Sequence, residues 1–110
     1  MTVYAVQEPM YRDERGEIVS RFDHEAASEY GEVVFLTAHQ AKPHDESAIV
    51  EMREKLSGFR EGDWLLLAGN PCLIAAAAAI VADLTDGRIP ALQYHGKQRR
   101  FIPVTMYVYD

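Results

Sequence analysis

Twelve consecutive residues, Pro71 to Ala82, hold nothing more polar than a cysteine. A helix apolar on every side belongs inside a protein or inside a bilayer. Twelve residues fall well short of the ~20 needed to cross a membrane, so the run predicts a core helix over Pro71–Asp83, buried on all sides. Its flanks agree. Trp64 to Leu67 is a run of four large apolar residues, the pattern of a strand covered on both faces, as in a parallel sheet. Gly69 breaks that strand, and the Asn70 side chain can cap the first helical turn. Pro71 suits the first helical position, where no N–H is needed. Gly87 offers a left-handed stop after Asp83 and Asp86.

The rest of the chain extends this unit. Val3–Gln7 alternates weakly as a first strand. Asp13-Glu14-Arg15-Gly16 predicts a reversal, after which Ile18–Phe22 is expected to pair back on that first strand. Asp23 can cap a short helical turn through Tyr30, ended by Gly31. Glu32–Ala38 is a strand with a buried-type centre, Val33 to Leu36. After a polar loop, His39 to His44, a second helix over Asp45–Ser57 carries Ile49, Met52 and Leu56 on one face, with Gly58-Phe59 as its C-cap. This helix is amphipathic and should cover one side of the sheet with its outer face wet. Ile89–Tyr94 and Arg100–Val108 form a hairpin whose Pro90 and Pro103 favour strand starts or sheet edges. On the last strand Ile102, Val104, Met106 and Val108 are expected in the core. Phe101, Tyr107 and Tyr109 are left as an aromatic second face, the kind of exposed surface that marks a homodimer contact.

The resulting fold class is α/β: one small domain over residues 1–110, a βαβαβ core of two or three layers, a mixed sheet and a C-terminal β-hairpin. Right-handed crossovers make the central strands parallel. At 110 residues, 48% apolar and 25% charged, the composition is that of an ordinary globular domain. Met1 to Pro9 lacks the basic start and long apolar run of a signal peptide, and Cys72 is the only cysteine. Together these imply a cytoplasmic protein without disulfides or membrane association.

The net charge of −6 sits in the first half. Residues 1–63 hold 14 acidic and 7 basic residues, whereas residues 64–110 are close to neutral. That balance disfavours phosphate-backbone binding, which needs Lys and Arg, and is compatible with a basic protein partner. One basic, aromatic-flanked segment exists, Tyr94 to Phe101 with Lys97, Arg99 and Arg100. It is too small to make nucleic acid an expected partner.

Ligands of open α/β sheets bind beyond the carboxyl ends of the strands. This nominates His39, after the Glu32 strand, with Gly69, Asn70 and Cys72 at the start of the core helix, where amides could hold an anion. The turn is neither G-x-G-x-x-G nor a P-loop. His39, His44 and Asp45 match no strong zinc spacing. Cys72 reads as a buried structural residue. No nucleophile–base set and no cofactor signature emerge, so the chain is not expected to be an enzyme, and neither cofactor nor metal is expected.

D-W-L-L-L-A-G-N-P, the alanine-rich helix, G-R-I-P-A-L-Q-Y and R-R-F-I-P-V, together with F-D-H-E-A-A-S-E-Y-G-E-V-V-F-L from Phe22, resemble small uncharacterised proteins of tailed bacteriophages and prophages. The resemblance spans residue 22 onward and implies a phage or bacterial intracellular setting, the host cytoplasm if phage-encoded. It implies no catalytic residue. The expected function is that of an accessory protein, a host-modulating factor, binding a protein through an acidic surface or a strand edge. The competing reading is a small-molecule or nucleotide-binding domain, even an enzyme, with its site at Gly69-Asn70 and the His39 loop.

Overall fold

Alternation along the strands decides the layers. The computed structural model describes residues 1–109. In chain order the elements are β1 (Thr2–Gln7), β2 (Met10–Arg12), β3 (Ile18–Ser20), α1 (His24–Ser28), β4 (Glu32–Thr37), α2 (Glu46–Leu56), β5 (Trp64–Leu66), α3 (Pro71–Leu84), β6 (Arg88–His95) and β7 (Arg100–Tyr107). Five strands form one sheet in the order β4-β1-β5-β6-β7, parallel except for β7. Tyr4 and Val6 of β1, Leu36 of β4, Leu65 of β5 and Ile89 and Ala91 of β6 point to one face, under α2 and α3. Val3, Ala5, Leu66 and Leu92 point to the other face, under α1. The sheet is covered on both sides, so the architecture is three-layered. Continuous apolar runs in β1 and β5 follow from that double covering.

α1 is held by Asp23, whose Oδ1 accepts from the Ala26 amide at 3.0 Å. α3 starts as its sequence dictates: the Asn70 side-chain oxygen accepts from the Cys72 amide at 2.8 Å, with Pro71 in the first turn. It ends at Gly87, φ 96°, whose amide donates to the Ala82 carbonyl at 2.7 Å. A side chain at Gly87 would also collide with Tyr109.

Several expectations are corrected. The Ile18 strand does not return to β1; it pairs antiparallel with β2, making a separate two-stranded hairpin across the Asp13–Gly16 turn. Both sides of β1 are already occupied, by β4 and β5. Gly58 is not in the left-handed region, because α2 closes with tight turns in which the Ser57 and Phe59 amides donate to Glu54 and Leu56. α3 is buried along one stripe only, Leu73, Ala77, Val81 and Ala82, while Cys72, Ala75 and Ala79 are exposed. One sheet face cannot surround a helix, and α2 flanks it on one side only. Cys72 is therefore a surface thiol and not a core residue.

The faces of β7 also depart from expectation. Phe101 is buried in the layer under α1, whereas Val104 and Val108 are exposed, 36% and 55%. Both strand ends explain this. The start of β7 lies against α1, and its later residues run past the cover that α3 provides.

Both sheet edges are modified. Leu92 turns its carbonyl toward β5, where it accepts from the Leu67 amide at 3.0 Å. Its partner on β7 is Pro103, so the missing N–H of Pro103 falls on the outer edge. Two residues earlier the Phe101 carbonyl, on the same edge by alternation, accepts from the Tyr30 hydroxyl at 3.1 Å. On β4, the Glu32 amide bonds inward to Met1, which turns the Phe35 carbonyl outward, and that carbonyl accepts from Lys55 Nζ at 2.8 Å.

Candidate functional site

Beyond the carboxyl ends of β1, β4 and β5, the structure does bring the His39 loop and the Gly69-Asn70 turn together. What joins them is Gln7, the last residue of β1 and 6% exposed. Its amide nitrogen donates to the carbonyls of Ala38, His39 and Ala41 at 3.2, 3.2 and 2.9 Å. Its side-chain oxygen accepts from the Asn70 amide at 2.9 Å. Gly69, φ 101°, has no side chain because a Cβ there would lie 2.4 Å from Cβ of Gln7. The Gln7 side chain thus occupies the space between the two loops. The His39 side chain is exposed, and Cys72 lies beyond the turn, also exposed. His44 Nε2 sits 3.9 Å from Asp45, both exposed. Among the described residues no three His, Cys, Asp or Glu side chains converge as a metal site.

An open, polar depression of about 310 Å³ lies beside the His39 loop, lined by Ala38, Gln40, Ala41, Asp45, Ser47 and Glu51, whereas a more enclosed and more apolar space lies on the other face, one strand further along. A slot of about 270 Å³ is lined by Pro9, Phe22, Leu67, Ala68, Tyr94 and Phe101, with Arg21 and Asp23 at its mouth. It forms because α1 is only five residues long and cannot cover the ends of β5 and β6. Aromatic rings reach across instead. Phe22 packs edge-on to Phe35 of β4 at 5.0 Å and also meets Phe101 of β7 at 6.1 Å, while Tyr94 lies 5.0 Å from Phe101. The slot opens into a wider, more polar recess of about 680 Å³ that adds Tyr11, Ser20, His24 and Arg99.

Hydrogen bonding fixes the walls. Asp23 uses one oxygen to cap α1 and the other to accept from the Tyr94 hydroxyl at 3.1 Å. Desolvation first, then that hydrogen bond and the Asp23 charge, push the Tyr94 phenol above its ordinary value, with Arg99 pulling the other way. Glu8 accepts from the Ser20 hydroxyl at 2.7 Å and lies 3.7 Å from His24 Nε2. The Arg21 guanidinium stacks over the Tyr11 ring, 4.8 Å from its centre. Arg99 sits in the left-handed region at φ 50°. The arrangement offers an apolar slot with three aromatic side chains in its lining and two cations bordering the recess. It suits binding.

Sequence reasoning singled out the Tyr94–Phe101 hairpin but not its neighbours Arg21, Phe22 and Asp23, some 70 positions upstream. Phe22 and Asp23 read only as a strand end and a helix cap. The available signal was local: two aromatics, Tyr94 and Phe101, opposite one another across a hairpin.

Fold and recess together define a small three-layer α/β domain with a mixed sheet. The chain belongs to the phage Pam3 gp32-like proteins, whose family model matches residues 1–108. This bears out the resemblance to phage proteins and extends it to the first strand. No curated protein and no solved structure matches the chain. Among the described residues, no helix is long and apolar enough to cross a membrane.

Proposed function

We propose that this phage-family protein acts as an accessory factor by binding another protein through the uncharged surface of α3 and β7. One observation carries this reading. The first twelve residues of α3 and the stretch from Phe101 to Tyr109 contain no charged residue, although a quarter of the chain is charged. The two segments share a face, because Ile89 and Ala91 pack in the α3 core and stand opposite Met106 and Val104. Cys72, Ala75 and Ala79 of α3 and Val104 and Val108 of the last segment are exposed on this side of the sheet. On its other flank, α3 borders a groove of about 360 Å³ between the helices, lined by Arg53, Ser57, Ala79, Ile80, Asp83 and Leu84. Exposed apolar surface free of charge is of the kind that marks interaction sites. Arg53 and Asp83 border the groove with opposite charges, so the partner, a host protein, a phage protein or a second copy, would meet this face chiefly through apolar contacts.

The test compares wild type, Ala79→Arg and a control, Glu14→Arg on the distant β2–β3 turn. Affinity capture from bacterial lysate and light scattering of the purified protein read heterologous and self-association. The expected result is an association lost with Ala79→Arg and kept with Glu14→Arg. Capture of nothing, with a monomer at tens of micromolar, a concentration that would populate an ordinary micromolar complex, defeats the reading. So does an association indifferent to Ala79→Arg.

A further inference from the structure

On the opposite side of the sheet from that surface, we propose that the slot at the ends of β5 and β6 binds a planar aromatic anion: a ring system bearing a phosphate or carboxylate. The ring lies among Phe22, Leu67, Ala68 and Phe101, and the anionic group meets Arg21 and Arg99 at the mouth.

Size and polarity specify the ring. A cavity of about 150 Å³ is enough for benzene, so 270 Å³ accommodates a substituted or fused ring. Apart from the mouth, the lining is apolar. Phe22, Tyr94 and Phe101 give the slot an aromatic lining, their rings tilted by 38° and 59° at separations of 6.1 and 5.0 Å, in the range of interacting aromatic rings. A guest ring can join this cluster in the same tilted or edge-on geometry.

Charge specifies the anion and its orientation. Arg21 and Arg99 border the recess in a chain whose net charge is −6. Arg21 is already stacked on Tyr11, which leaves its planar fork of donors ordered for a carboxylate or phosphate. Arg99 takes its left-handed backbone, φ 50°, from the β6–β7 turn, where its amide donates to the Gly96 carbonyl at 3.3 Å, and its side chain borders the recess. The Asp23 carboxylate borders slot and recess alike and is already hydrogen-bonded to Tyr94. Arg99 lines the recess and not the slot, so the anionic group is placed in the recess beside the arginines and the ring in the apolar slot. The position beyond the carboxyl ends of parallel strands is where α/β sheets present ligands.

Phenyl phosphate and adenosine 5′-monophosphate are suitable probes of two sizes, with adenosine and inorganic phosphate as controls. Each is titrated into the isotope-labelled full chain and followed by amide resonances. The expected outcome is saturable shifts at Leu67, Ala68 and Tyr94 with at least one of the two ring-bearing anions, and none there with inorganic phosphate. Arg21→Gln and Arg99→Gln, both at exposed positions, should each weaken binding by roughly tenfold, the worth of one charge-assisted contact. Their unchanged amide spectra verify the fold. Ala68→Leu, which narrows the slot, should abolish the shifts. The proposal is overturned if neither anion moves those resonances at millimolar concentration. It is equally overturned if adenosine binds as tightly as its monophosphate, or if both arginine variants bind like wild type. None of these outcomes depends on the α3–β7 surface.

Discussion

The two faces of the sheet are built to different standards. Under α2 and α3, eleven and fourteen residues long, the core is mostly aliphatic. Leu36, Met52, Leu56, Leu65, Leu73 and Ala77 are fully buried, and aromatic rings occur only at the rim, where Tyr4 meets Phe59 at 5.6 Å. Alanines let α3 sit close to the strands, and side chains of similar size fill the interval. Under the five-residue α1 the cover is too short, so Phe22, Tyr30, Phe35, Trp64 and Phe101 span the gap. Rings are stiff and few, and they enclose space that they do not fill. A well-covered face gives stability, and a poorly covered one gives a recess.

Three experiments bear on that contrast. The largest effect is expected for Leu65→Ala, a fully buried residue beneath the helix pair, at about 2–5 kcal/mol in denaturant unfolding. A loss under ~1 kcal/mol would mean that the helical face is as loosely packed as the other.

Overpacking discriminates between the faces more directly. Ala77→Leu adds volume where α3 meets the sheet and should cost about 1–3 kcal/mol. Ala68→Leu, in the wall of the slot, should cost less than ~1 kcal/mol, since the added methyl groups enter open space and displace no neighbour. Equal midpoints for the two variants would erase the contrast.

The smallest effect lies in alkaline pH. Tyr4 has its phenol raised above its ordinary value, by burial first and by the Asp63 charge second, against opposing influences from Arg60 and Thr2. An unfolded tyrosine ionises near pH ~10, and the folded one only at higher pH. The unfolded state therefore releases its proton first. The Tyr4 contribution is complete below pH ~10 and is lost as pH rises from there through the folded value. Tyr94 shifts in the same direction, but its exposure of 42% lets solvent screen the effect. Tyr4→Phe should flatten the alkaline limb of stability more than Tyr94→Phe. The reverse order would place the tighter environment on the recessed face.

How much of this was legible depended on the range of the interactions involved. Asn70-Pro71 and Gly87 announced the ends of α3, because caps and left-handed glycines act through their nearest neighbours. The β5–α3–β6 unit followed from the unbroken apolar runs Trp64–Leu67 and Pro71–Ala82 and the turn residues between and after them. Exposure did not: an all-apolar helix signals burial, yet Ala75 and Ala79 lie outside, since composition does not reveal how many neighbours a helix will find. Gln7 gave no signal either. A glutamine ending a strand looks like any polar boundary, and its four bonds exist only once loops from residues 38–41 and 69–70 converge on it. The recess was the least legible part, assembled from Phe22, Leu67 and Phe101, three elements that meet only in the folded sheet.

The treatment of the sheet edges governs what crowding can do to this molecule. Proteins made in many copies are at risk of growing by adding strand to strand, each new copy templating the next without limit. Here a copy aligned along β7 would find no donor at Pro103 and an occupied carbonyl at Phe101, while one approaching β4 would have to displace Lys55. Open-ended polymerisation is thereby obstructed at both ends of the sheet. The uncharged surface proposed above as an interface lies on a layer face, so an assembly built from it would be held by side chains and not by strand-to-strand hydrogen bonds.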